Sequence, residues 1–251
     1  MRTFLFRPVA PGKYPGIVVF SEIFQVTAPI RRTAALLAGH GYVVAVPEIF
    51  HEYENAGTAL SYDSAGADRG NELKTTKPLE NYDSDARAAL DFLLQHPACT
   101  GKLGVLGICI GGHLAFRAAM NSDVRAATCF YATDIHKHGL GAGKADDSLQ
   151  RTADGAIQGE LLMIWGRQDP HVPYEGRRLI QETLHQAGTN FQWLEFNAAH
   201  AFMRDEGPRY NPVLAQQCYA IALDMFHRRL GEGDADAPRA PTGSGSGEAR
   251  H

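Results

Sequence analysis

Short apolar runs that alternate with helical segments constrain this chain more than any other feature of its sequence. The runs are rich in β-branched residues and continuous in polarity, which is typical of strands buried on both faces of a sheet. Helical segments of ten or more residues separate most of them, so we predict an α/β fold, a doubly wound, mostly parallel sheet with helices on both faces. The predicted strands cover residues 16–20, 42–46, 102–106, 126–131, 160–165 and 191–196, and the predicted helices cover 29–38, 79–95, 111–120, 174–187 and 212–230.

The length and the local composition predict one domain and a tail. A single α/β unit routinely spans roughly 200 to 250 residues, so we expect one domain at residues 1–230. Residues 231–251 contain no large apolar residue and are predicted to be a disordered tail outside the function. Residues 51–78 have no clear period, and we predict a long loop over the strand ends that shapes specificity.

Charge and apolar patterning indicate a small-molecule partner. The chain has 24 lysine and arginine residues against 28 aspartate and glutamate residues and no basic block, which disfavours a nucleic-acid or anionic-membrane surface. The absence of a membrane-length apolar run and of a signal-peptide core leads us to expect a cytoplasmic protein. We expect a monomer or a small homo-oligomer.

The cysteine pattern disfavours structural zinc and a redox dithiol. The four cysteines form no C-x-x-C motif and no cluster with histidine at zinc-finger spacing. We therefore expect reduced thiols that are available for chemistry, with no metal or organic cofactor. These cysteines are Cys99, Cys109, Cys129 and Cys218.

One of these thiols lies in a motif typical of a nucleophile. Gly107-Ile-Cys109-Ile-Gly111-Gly112 comes directly between a predicted strand and a predicted helix. Small flanking residues allow a sharp turn that holds the nucleophile in a strained conformation, and the N-terminus of the next helix favours a thiolate. The motif alone fits a buried, unreactive cysteine in a glycine-rich turn equally well.

A nucleophilic cysteine needs a base, and the base needs an orienting partner. Asp169 and His200 each follow a separate predicted strand, so parallel pairing is expected to bring both to the sheet edge that carries Cys109. Their chain order of nucleophile, acid and histidine is that of α/β-hydrolases. Alone, Asp169 also fits a helix N-cap in an Asp-Pro turn, and His200 is one of eleven histidines. Together, the three residues favour a catalytic triad.

Four segments of this sequence resemble the dienelactone hydrolase family, and the resemblance covers most of residues 14–230. It implies the α/β-hydrolase fold and a Cys109–His200–Asp169 triad that cleaves an enol-lactone or a related activated ester through a thioester. The backbone N–H groups of Ile23 and Ile110 would form the oxyanion hole. The matching segments are Ser21-Glu22-Ile23-Phe24, Gly107–Gly112, Gly166-Arg-Gln-Asp169-Pro-His-Val-Pro173 and Ala199-His200-Ala-Phe-Met-Arg204.

The resemblance also implies roles for residues around the triad. Glu22, which ends the first predicted strand, would hydrogen-bond the resting thiol until substrate displaces it, although the residue alone also fits an exposed loop carboxylate. Arg204 and a second arginine, for which Arg69 is the nearest candidate, would bind the carboxylate of an anionic substrate. His171 stands where the family often has an aromatic residue, which bears on the choice of substrate.

Other functions remain open from the sequence. The same triad fits a broad-range esterase or thioesterase, which would not depend on a substrate carboxylate. A binding protein on the same scaffold would keep a reactive Cys109 without turnover. A nucleotide-binding fold has no support, because no G-x-G-x-x-G follows the first predicted strand.

Overall fold

The computed structural model describes residues 1–231, so all of the predicted tail except Gly231 lies outside the described residues. Within these residues, seven strands form one sheet in the order β1-β3-β2-β4-β5-β6-β7. The strands are β1 Thr3–Phe6, β2 Tyr14–Phe20, β3 Val43–Pro47, β4 Cys99–Ile108, β5 Val124–Phe130, β6 Glu160–Gly166 and β7 Phe191–Phe196. The helices are α1 Ala28–Gly39, α2 Ser64–Thr76, α3 Leu79–Gln95, α4 Ile110–Ala118, α5 Ser148–Ala153, α6 Tyr174–Gln186 and α7 Pro212–Leu230, with a 3-10 turn at Ile135–Lys137.

The sheet is mostly parallel and is covered on both faces, as predicted. Only β1 pairs antiparallel within the described sheet, against β3, and every other pair is parallel. Successive side chains of β2 enter two different apolar cores, Ile17 with α1 and α7 on one face and Val18 with α3, α4 and α6 on the other. Both cores exclude water from the strands, which explains their continuous apolar runs.

The prediction of one long loop at residues 51–78 was wrong, because the segment contains α2. This helix buries only two glycines and Leu73, so it carries no apolar stripe that a sequence pattern could reveal. Its N-terminus is capped by Asp63, whose carboxylate accepts the N–H of Gly66 at 2.8 Å. Strand β1 and the short helix α5 were also absent from the predicted elements.

The carboxyl ends of the parallel strands lie at one edge of the sheet. All of the predicted site residues except Arg69, which lies in α2, follow four of these ends, after β2, β4, β6 and β7. Within residues 1–231, no helix has both the length and the apolar character needed to cross a bilayer.

Candidate active site

The turn between β4 and α4 holds Cys109 in a conformation that L-residues rarely adopt. The backbone of Cys109 has φ 64° and ψ −122°, and strain of this kind costs about 1 to 3 kcal/mol. Glycine is needed on both sides, because a Cβ on Gly107 would lie 1.7 Å from the Gly111 carbonyl oxygen and one on Gly111 would lie 2.1 Å from that of Phe20. The Cys109 N–H donates to the carbonyl of Phe130 at 3.0 Å. Backbone contacts thus fix the sulfur at the N-terminus of α4.

Asp169 and His200 are brought together by the loops after β6 and β7. The distance between His200 Nδ1 and Asp169 Oδ2 is 2.6 Å, and both residues are buried. The second carboxylate oxygen of Asp169 accepts the backbone N–H of His171 at 2.8 Å. The rings of Tyr131 and His171 pack edge-on against the His200 ring, at centroid distances of 4.9 Å and 4.6 Å. These contacts leave the imidazole little freedom to turn.

Electrostatics around His200 favour its protonated form. Burial disfavours the charge, but interaction with the Cys109 sulfur and with the Asp169 carboxylate outweighs that cost and raises the pKa of His200 to about 10. The neighbouring His171 has its pKa lowered by burial and by the charge of His200. His200 is therefore the stronger base of the two and the one that contacts the thiol.

Two backbone N–H groups beside Cys109 have no hydrogen-bond acceptor within residues 1–231. One belongs to Ile110, the first residue of α4, and the other belongs to Ile23 in the loop after β2. Gly70 of α2 packs against Ile23, and a Cβ on it would lie 2.6 Å from the Ile23 carbonyl oxygen. Both N–H groups are available to a developing oxyanion.

Glu22 is buried beside the triad, and its carboxylate is hydrogen-bonded to Tyr62 and not to the Cys109 thiol. The Tyr62 hydroxyl donates to Glu22 at 3.0 Å, and the Arg204 guanidinium lies 3.8 Å from the carboxylate. Burial raises the pKa of Glu22, although Arg204 and Tyr62 act in the opposite direction. Tyr62 is a site residue that the sequence analysis missed, because it lies in the segment without periodicity.

A cavity of about 500 Å³ opens over these groups. The predicted residues that line it are Glu22, Ile23, Cys109, His171, His200 and Arg204. The guanidinium of Arg204 lies 4.3 Å from the centre of the Tyr62 ring. Its Nε is buried and has no hydrogen-bond partner within the described part of the chain. The guanidinium of Arg204 therefore lies between the Tyr62 ring and the Glu22 carboxylate at the cavity wall.

Arg69 does not line this cavity, which corrects its assignment as a substrate contact. Its guanidinium donates to Glu54 at 2.8 Å and to Glu72 at 2.9 Å, so two carboxylates already neutralise it. Arg209 lines the cavity instead, and it forms no ion pair within residues 1–231. No sequence pattern distinguished these two arginines, because the difference lies in which way each loop or helix faces.

Among residues 1–231, one group of side chains could hold a metal ion. Ligand atoms of Asp169, His171 and His200 all lie within 4.8 Å of one another. A cation there would compete with the short hydrogen bond between Asp169 and His200, so metal binding and triad geometry exclude each other at this place.

Comparison with known proteins assigns a family to this arrangement. The sequence model of the dienelactone hydrolase family matches residues 1–230. A Saccharomyces cerevisiae protein that carries the provisional name carboxymethylenebutenolidase is 44% identical over 240 residues, which cover 92% of this chain and 87% of that protein. The carboxymethylenebutenolidase of Pseudomonas putida is 30% identical over 224 residues, or 86% of this chain and 88% of the relative.

Solved structures agree on the fold. A Klebsiella pneumoniae protein provisionally named a dienelactone hydrolase superposes with a TM-score of 0.77 at 20% identity, and the match covers 90% of this chain and 92% of that one. A dienelactone hydrolase-like promiscuous phosphotriesterase from metagenomic libraries gives 0.70 at 22% identity, with 91% and 92% covered. This protein is therefore a hydrolase that acts on ester bonds, and it belongs to the dienelactone hydrolase family.

Proposed function

We propose that this protein opens dienelactone-like enol-lactones by covalent catalysis, with Cys109 as the nucleophile, His200 as the base and Asp169 as the residue that orients the base. The observation that carries the proposal is the 2.6 Å hydrogen bond between His200 and Asp169 beside a cysteine held at φ 64°. A nucleophile next to an oriented base is the arrangement that acyl transfer requires.

The reaction proceeds in two stages. His200 takes the proton of Cys109, and the thiolate adds to the lactone carbonyl to give a tetrahedral oxyanion held by the N–H groups of Ile23 and Ile110. Collapse of this intermediate breaks the ring C–O bond, leaving a thioester and an enolate that accepts the proton from His200. Water, deprotonated by His200, then hydrolyses the thioester and returns the thiol. An enolate is a good leaving group because conjugation spreads its charge.

Glu22 couples activation of the thiol to binding of an anionic substrate. A substrate carboxylate at Arg204 takes the place of Glu22, which lies 3.8 Å from that guanidinium, as its counterion. Glu22 is then a buried carboxylate that has lost its counterion, which favours its displacement from beside the triad as the proton of Cys109 passes to His200. Arg209, which lines the same cavity, is the second guanidinium for the substrate carboxylate.

The thiol chemistry also supports the expected compartment. All four cysteines are buried and free, and a cysteine nucleophile requires that its thiol stay reduced. We accordingly assign the protein to the cytoplasm, acting on a small anionic ester or lactone as a monomer or a small homo-oligomer.

The test is hydrolysis of cis-dienelactone, trans-dienelactone and p-nitrophenyl acetate by the wild-type protein and by Cys109→Ala. We expect Cys109→Ala to lose about 10³-fold or more in kcat on every substrate that the wild type hydrolyses. Arg204→Gln should lower kcat/KM for the dienelactones about tenfold or more beyond its effect on the acetate, since only the lactones carry a carboxylate.

Arg69→Gln is the matched control for the arginine variant, because its guanidinium is paired away from the cavity. It should leave the ratio of lactone to acetate turnover unchanged. Retained turnover in Cys109→Ala would contradict the nucleophile. Turnover of the acetate alone by the wild type would keep the triad and favour the broad-range esterase.

A further inference from the structure

A second, basic cavity opens from the catalytic one. It has a volume of about 380 Å³, and four of its lining residues also line the catalytic cavity, so the two are continuous. We call this space the lysine annex. The residues that define it are Asn71, Lys74, Thr75, Asp134, Lys137 and Lys144.

The lysine annex carries net positive charge. Its three lysines face a single carboxylate, that of Asp134. Lys74 Nζ lies 2.7 Å from one oxygen of Asp134, and Lys137 Nζ lies 2.8 Å from the other. Lys144 forms no ion pair with any residue in the described range. Each ammonium has three donors and Asp134 uses one from each of two lysines, so donors remain for a ligand.

Asp134, which pairs with Lys74 and Lys137, is itself held tightly by its surroundings. Its side chain is 4% exposed and its backbone has φ 70°, in the left-handed region. Gly139 packs against it so closely that an added Cβ would lie 3.1 Å from the Asp134 Cβ. The ammonium groups of Lys74 and Lys137 are thereby paired with Asp134 at the boundary of the two cavities.

The lysine annex lies beside Cys109, and neither Arg204 nor Arg209 lines it. The N–H of Thr133, the residue before Asp134, donates to the Cys109 carbonyl at 3.3 Å. Arg204 and Arg209 line only the catalytic cavity of the two cavities described here. The reacting carbonyl at Cys109 therefore has access to two separate cationic regions.

We propose that the lysine annex binds a second oxyanion of the substrate, a carboxylate or a phosphate, in addition to the carboxylate at Arg204 and Arg209. The substrate class is then an ester or lactone with two anionic groups. This inference rests on the proposed function, because it identifies the two ends of the molecule that Cys109 attacks. Lysine is suited to either oxyanion, since its ammonium acts as a point charge without a planar preference.

The test measures binding to Cys109→Ala by calorimetry, so that turnover does not enter the result. The probes are linear dicarboxylates from succinate to suberate, the matching monocarboxylates, and the matching phosphonocarboxylates. We expect at least one dianion to bind about tenfold more tightly than its monocarboxylate match. Adding Lys137→Gln and Lys144→Gln to this protein should abolish that preference and leave monocarboxylate affinity within about twofold.

The controls separate each possible failure. Lys13→Gln removes an exposed lysine at the opposite edge of the sheet and should retain the preference. Lys144→Gln alone breaks no ion pair in the described chain, so it tests the lysine annex even if the double variant does not fold. Whether carboxylate or phosphonate gains more identifies the oxyanion. The proposal is overturned if Cys109→Ala with all its lysines intact binds no dianion more tightly than the matching monocarboxylate. It is also overturned if the preference for a dianion persists after both lysines are substituted. Retained turnover in Cys109→Ala would overturn the triad alone.

Discussion

The turn at Cys109 and the segment between β3 and α3 lie at the same edge of the sheet but are held by different forces. The turn is fixed by backbone atoms in contact, with Gly107 and Gly111 too close to their neighbours for any side chain. The segment, residues 48–78, is held by side chains. Buried Lys77 donates to the Ile49 carbonyl at 3.0 Å and pairs with Asp85 and with Glu52.

The difference separates catalysis from specificity. Steric exclusion permits one backbone path, so the turn keeps the nucleophile in place whatever ligand enters. The segment is held through side chains, so a residue in it that does not pair with buried Lys77 can be exchanged without leaving a buried charge unpaired. The segment supplies Tyr62 and Lys74 to the cavity walls, and we infer that substrate choice can change there while the triad is retained.

The largest expected effect is that of Gly107→Ala on folding. The new Cβ would lie 1.7 Å from the Gly111 carbonyl oxygen, which is backbone and cannot rotate away. We expect the free energy of unfolding to fall by about 5 kcal/mol or more, or no folded protein to be recovered. Urea unfolding followed by circular dichroism measures this change.

Gly39→Ala is the matched control for that variant. Gly39 ends α1, and an added Cβ would meet no atom within 4 Å. Alanine in a helix is favoured over glycine, so stability should stay the same or rise by up to about 1 kcal/mol. A Gly107→Ala protein as stable as the Gly39→Ala protein would show that backbone crowding does not fix the turn.

The parts of the structure that depend on local patterns could be predicted from the sequence. The buried parallel strands leave continuous apolar runs, and the turn at Cys109 requires glycines at fixed positions. Both features can be recognised in the sequence alone. The expected convergence of Asp169 and His200 needed only the rule that parallel strands end at one edge.

The parts of the structure in which three-dimensional packing decides between equivalent residues could not be predicted from the sequence. Helix α2 has no apolar stripe, because its close contact with Ile23 is made by Gly70. Arg69 and Arg209 are chemically identical, and only the folded structure shows that Arg69 pairs with Glu54 and Glu72 while Arg209 lines the cavity. Strand β1 is short and has no buried residue, so its apolar signal is weak.

Lys77→Met tests whether ion pairs hold the segment between β3 and α3. The substitution keeps the apolar stem of Lys77 but leaves Asp85 and Glu52 without their buried cation. We expect the free energy of unfolding to fall by about 3 kcal/mol. Lys13→Met, at an exposed site, should change stability by less than about 0.5 kcal/mol. Equal stabilities of these two variants would contradict the account of the segment.

The smallest of these effects is expected at Asp134, whose ion pair with Lys74 ties α2 to the loop after β5. Burial opposes ionisation of this carboxyl, but Lys74 and Lys137 outweigh it and lower its pKa from 3.8 to about 2. A lowered pKa stabilises the folded state at pH values above 3.8, and that contribution is lost as the pH falls through about 2. Asp134→Asn should therefore lower the free energy of unfolding by about 2 kcal/mol at neutral pH.

The pH dependence of that difference distinguishes charge from packing. Urea unfolding of the wild type and Asp134→Asn between about pH 7 and pH 2.5 should show the two stabilities converging below about pH 4, since protonated Asp134 and asparagine are both neutral. Asp224→Asn removes a carboxylate that is 68% exposed and should have little effect at any pH. Equal stabilities across this range would mean that Asp134 supports the loop through its shape alone, which asparagine shares. In that case the tie between α2 and the loop would resemble the steric fixation at Cys109, and the contrast between the two regions would disappear.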